Sequence, residues 1–67
     1  MSRFSEATIF VNGVRLTDAQ SMTVRVALNN LISEMRSEGL GDDQIGRDIA
    51  SGYIARGGEV LGLIHGE

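Results

Sequence analysis

Three side chains in this sequence have the chemistry to hold an anionic ligand: Arg25, Tyr53 and Arg56. Arginine presents a planar fork of donors that matches phosphate and carboxylate. A tyrosine ring offers a face on which a base can stack, and an arginine one helical turn away can hold the phosphate. Tyr53 and Arg56 have that spacing on a helix, and Arg25 lies in the middle of the apolar run "MTVRVALNNLISEM". Each also has a plain structural reading. Arg25 can be a boundary residue whose stem lies along apolar surface with its head in water. Arg56 falls within an apolar stripe, where a guanidinium must be paired. Asp48, Glu59 or an acid of the preceding helix could pair it.

Other chemistry is sparse. The chain has no cysteine and one histidine, His65, so thiolate metal sites and disulfides are excluded. His65 has no metal-binding or triad companions. Ser5, Ser21, Ser33, Ser37 and Ser51 have no base nearby in the pattern, so no nucleophile is expected. Asp42 and Asp43 in "GLGDDQIG" lack the ligand spacing of a calcium loop and read as helix caps. No catalytic constellation, metal site or cofactor is expected, and the sequence reads as a non-enzyme.

Charge narrows the partners. Net charge is -3, and all six basic residues are arginine. With a pI of about 4.9, no basic patch for DNA or RNA is expected. No run approaches the roughly 20 apolar residues of a membrane span, and "MSRFSEATIF" does not have the form of a signal peptide. A cytoplasmic location is expected.

The elements that must position these residues are legible. "EATIFVNGVRLT" carries Asn12-Gly13 between two β-rich runs, the strongest short signal for a hairpin, here over about 7–16. One face of so small a hairpin must pack on helices. Thr17 or Asp18 can cap a helix over about 18–38, with Gln20 completing a capping box behind Thr17. At 100° per residue, Val24, Ala27, Leu28, Leu31, Ile32 and Met35 form a core stripe on that helix. Met22 and Val26 fall on the opposite side and are candidates for an interface. Gly39 ends the helix. Asp42 or Asp43 caps a second helix from about 43, on which Ile45, Ile49, Tyr53, Val60, Leu63 and Ile64 share an apolar face. Gly57-Gly58 predicts a stop or kink near 56, with continuation to 64 as the alternative. The expected fold is α+β, one small domain over 1–67: an N-terminal β-hairpin followed by an antiparallel helical hairpin (ββαα). At 67 residues the buried core is small, so a homo-oligomer is expected.

The segments "LTDAQSMTVRVALNNL", "GLGDDQIG" and "GYIAR", within residues 12–56, resemble small proteins encoded by tailed phages and prophages. In that pattern a hairpin precedes a helix of the form "LT-A-Q-MTVRVAL", and a second helix carries a tyrosine and an arginine. This chain departs from it at Gly57-Gly58. The resemblance implies a phage accessory protein in the host cytoplasm that acts by binding. Within counter-defence it implies capture of a nucleotide immune signal at subunit interfaces, as by oligomeric sponge proteins, with Arg25, Tyr53 and Arg56 as ligand residues. The alternatives are an inhibitor of a host enzyme, working through Met22 and Val26 or the hairpin edge, and a small virion or assembly protein.

Overall fold

In the computed structural model, which describes residues 6–66, a two-stranded hairpin precedes two antiparallel helices. The strands are β1 (Phe10–Val11) and β2 (Val14–Arg15), paired antiparallel with Phe10 opposite Arg15 and Val11 opposite Val14. Asn12 and Gly13 hold φ of 51° and 82°, the two positive values that a type I′ turn needs. The Leu16 N–H donates to the Ile9 carbonyl at 2.8 Å and closes the base of the hairpin.

Helix α1 (Asp18–Ser37) starts where the sequence places it. Thr17 is the cap: its Oγ1 accepts from the Gln20 N–H at 3.1 Å, while Gln20 Oε1 accepts from the Thr17 N–H at 2.9 Å. Two otherwise orphaned donors are satisfied by this reciprocal pair. At the other end Glu34 O accepts from the N–H groups of both Glu38 and Gly39, at 2.7 and 3.0 Å. Gly39 takes φ 69° and Gly41 φ 108°, which turns the chain back on itself. Asp43 then caps α2 (Gln44–His65), its Oδ1 accepting from the Gly46 N–H at 2.9 Å.

Of the two courses expected at Gly57, the stop or kink near 56 does not occur and the continuation toward 64 does. Helix α2 runs unbroken to His65. Gly57 is buried against α1: a Cβ there would lie 3.1 Å from Ile32 Cγ1 and 3.2 Å from its Cδ1. Its helix penalty of about 1 kcal/mol is offset by the close approach its missing side chain permits. The inner side of α2 accordingly mixes small and large residues: Ala50 and Gly57 are buried, Gly46 is buried against the turn at Leu40 and Asp43, and Ile54, Leu61 and Ile64 are half-buried.

The buried core is slight. Among the described residues Ile32, Met35 and Ala50 are the buried apolar side chains. On α1, Val24, Leu28 and Leu31 are half-buried and Ala27 is exposed. Phe10, Val11 and Val14 of the hairpin are exposed, against the expectation that one face packs on the helices, while the flanking Ala7, Ile9 and Leu16 are half-buried. The radius of gyration is 14.1 Å, against about 11 Å for a compact chain of this length.

Candidate functional site

Of the predicted face, Ile45, Ile49, Tyr53, Val60 and Leu63 are exposed, but Ile64 does not belong with them: at 100° per residue it falls on the side of Ala50 and Gly57 and is half-buried. Eighteen residues make five full turns, so a line from Ile45 to Leu63 does not drift around the helix. At 100° per residue, Ile45, Ile49, Tyr53, Arg56, Val60 and Leu63 all fall within an arc of roughly 80°. The inner side, with Ala50, Gly57 and Ile64, lies beside that arc. Helix α2 therefore carries two adjacent apolar stripes, and only the inner one is covered. Ile45 and Leu63, at the two ends of the uncovered stripe, are 70% and 79% exposed.

Tyr53 and Arg56 sit at the middle of this stripe, one turn apart and both exposed. Arg56 Nη1 donates to Glu59 Oε1 at 3.3 Å. Both side chains of this pair are well exposed, so it contributes little and leaves the guanidinium available.

Arg25 is placed elsewhere. Its Nε and Nη2 donate to the two carboxylate oxygens of Glu6, at 3.2 and 3.0 Å. This forked pair ties the segment before β1 to the first half of α1. The hydrogen bond from Arg25 is the largest influence on Glu6 and holds its carboxyl below the usual range; desolvation opposes this, and the charges of Arg25 and His65 assist. The Glu6 hydrogen bond and charge likewise raise Arg25, against a smaller desolvation effect. Asn29, one turn further along α1, donates its Nδ2 to the Arg25 carbonyl at 3.1 Å. Gly57 faces Ile32, so Arg25 lies two turns, about 10 Å, along α1 from the level of Arg56. Within one chain the structure brings Tyr53 and Arg56 together and leaves Arg25 apart from them.

Met22 and Val26 are each 44% exposed on α1, as the wheel predicts. The acidic turn is occupied by its own contacts: Asp43 caps α2, Arg47 donates to the Asp42 carbonyl, and Asp48 accepts from Gln44 Nε2 at 2.7 Å. Among the described residues no cluster of three or more His, Asp or Glu side chains could hold a metal ion. Among the described residues no helix is long and apolar enough to cross a membrane.

An apolar groove of about 310 Å³ continues the stripe at its C-terminal end. Ile9 and Phe10 of the hairpin segment wall one side, and Val24 of α1 with Val60, Leu63 and Ile64 of α2 wall the other. The sequence pattern does not reveal this groove, because its walls come from three elements far apart in the chain. Glu6 as the partner of Arg25 was equally hidden by a separation of 19 residues. The outward direction of the large-residue stripe did have a signal, the helical spacing of Ala50 and Gly57, which marks where another helix can come close. Comparison of the chain with models of known protein families, with curated proteins and with solved structures gives no match.

Proposed function

We propose that this protein is a non-catalytic binding protein of the phage accessory type, which acts by sequestration and depends for it on an interface at the outer stripe of α2. The observation that carries this is the uncovered row Ile45, Ile49, Tyr53, Val60 and Leu63 on a chain that buries only three apolar side chains among the described residues. A contiguous apolar patch of this kind on a small monomer marks an interaction site. An aromatic and an arginine at its centre are the residue types on which binding energy concentrates. A flat row five turns long suits a polypeptide partner. The setting in counter-defence comes from the resemblance to small phage proteins.

The test is plating of phage on cells that carry a nucleotide-signalling defence, with this protein expressed. Wild type restores plating. Ile49→Glu, checked by circular dichroism to keep its helices, does not. Restoration by Ile49→Glu equal to wild type, or by neither protein, overturns the reading.

A second reading is favoured by one observation: Tyr53 and Arg56 are adjacent and exposed, with the guanidinium held only by a surface pair. Capture of a nucleotide signal would use that ring and that charge. Arg25, held by Glu6, would take part only after giving up its pair. Equilibrium dialysis with cyclic nucleotides tests this version: wild type binds and Arg56→Ala does not. Binding at equal affinity by both removes it.

A further inference from the structure

We infer that the occupant of the α2 outer stripe is a second copy of this chain, packed antiparallel about a two-fold axis at the level of residues 54 and 55. The inference rests on the reading of this stripe as a binding surface, and it names the partner and the register.

The stripe is its own complement when reversed. With the axis at that level, Ile45 stands opposite the partner's Leu63, Ile49 opposite the partner's Val60, and Tyr53 opposite the partner's Arg56. Every apolar residue meets an apolar residue. The one charged residue meets an aromatic face, and a guanidinium over a tyrosine ring is favourable once water is excluded. The symmetry repeats each pairing twice, as an isologous interface requires. A parallel arrangement would set Arg56 against Arg56 and bury two like charges, so the same residues that favour the reversed register exclude the parallel one.

The groove beside the stripe fits this register. In this register the partner's Ile45 arrives at Leu63, the side chain that borders the 310 Å³ groove between hairpin and helices. Ile45 is 70% exposed at the first turn of α2 and can enter that groove, where Ile9, Phe10 and Val24 meet it. The accessible surface of the whole chain is 5165 Å². A standard interface removes about 800 Å² from each partner.

Light scattering and single-cysteine cross-linking test the inference on the full chain, which has no cysteine of its own. Wild type gives twice the 7.2 kDa chain mass. Ile49→Glu places a carboxylate opposite Val60 in both copies and raises the dissociation constant at least about 100-fold, with unchanged helical circular dichroism. A mixture of Ile45→Cys and Leu63→Cys proteins cross-links under mild oxidation far more than either alone. A monomer mass at the highest attainable concentration overturns the inference. So does efficient cross-linking of Ile45→Cys to itself, which requires the parallel arrangement. A monomer whose Ile49→Glu variant still loses phage restoration overturns the second copy and leaves the binding surface standing. A dimer in this register whose Ile49→Glu variant restores plating supports the second copy and overturns the proposed function.

Discussion

Glycine to alanine, made at several positions of one helix, separates the parts of α2 that are constrained from those that are free. At Gly58 and Gly62 a Cβ would meet nothing within 4 Å. Alanine there gains the full helix preference, about 1 kcal/mol each. That corresponds to a rise of roughly 4–8 °C in melting temperature for a domain of this size. At Gly46 the same Cβ would lie 2.8 Å from Asp43 Oδ1 and 2.9 Å from the Leu40 carbonyl carbon, and it would collide with the Leu40 carbonyl oxygen. Those atoms belong to the turn and to the cap of α2, so neither can move without loosening the Gly46 N–H bond to Asp43. Overpacking of this kind costs about 1–3 kcal/mol, and a lost cap adds about 1 kcal/mol. Against the 1 kcal/mol gained in helix preference, the net is a loss of about 1–3 kcal/mol. Gly57→Ala lies between, since only the flexible end of Ile32 must give way. Thermal unfolding followed at 222 nm, at one protein concentration, reads the series. Gly58→Ala and Gly62→Ala rise, and Gly46→Ala falls by about 4 °C or more. If Gly46→Ala were as stable as Gly58→Ala, the turn geometry described here would be refuted.

Three further outcomes follow from other parts of the chain. Glu6 has its carboxyl pKa held below the ordinary value of 4.5 by Arg25, so the pair stabilises the fold above that value and the contribution is lost as pH falls through the lowered one. A carboxyl-carbon NMR titration should show the Glu6 midpoint rising in Arg25→Gln; an unmoved midpoint would mean the pair does not form in solution. Thr17→Ala removes the acceptor of the capping box and should lower stability by about 1 kcal/mol, read by urea unfolding; no change in the midpoint would contradict the cap. Ser21 is 1% exposed and its Oγ has no hydrogen-bond partner among the described residues. Ser21→Ala should therefore stabilise the fold by about 1 kcal/mol in the same assay, and destabilisation would point to a partner for that hydroxyl.

Local chemistry made much of the fold legible. Asn12-Gly13, the Thr17 to Gln20 box, Gly39 and Asp43 each act within four residues, and each appears where the sequence places it. The course of α2 past Gly57 was left open between a stop and continuation, because helix preference counts only the local cost of glycine. The compensating approach to Ile32 comes from a residue 25 positions earlier. The same cause misdirects the core. Large side chains at helical spacing suggest the buried face, yet α2 buries Gly46, Ala50 and Gly57 and turns Ile45, Ile49 and Leu63 outward. Of the three candidate ligand residues, the Tyr53 and Arg56 adjacency was visible from spacing. The engagement of Arg25 by Glu6 was not, since it depends on how the segment before β1 lies across α1.

The central claim, that the outer stripe of α2 is an interface occupied by a reversed second copy, meets its most direct test in an isotope-filtered NOE experiment. Labelled and unlabelled protein are mixed so that only contacts between chains are seen. The account predicts cross-peaks from the Tyr53 ring to the Arg56 side chain, and from Ile45 methyls to Leu63 methyls. A sample of the same concentration that shows no inter-chain peak at any of these four residues would contradict it.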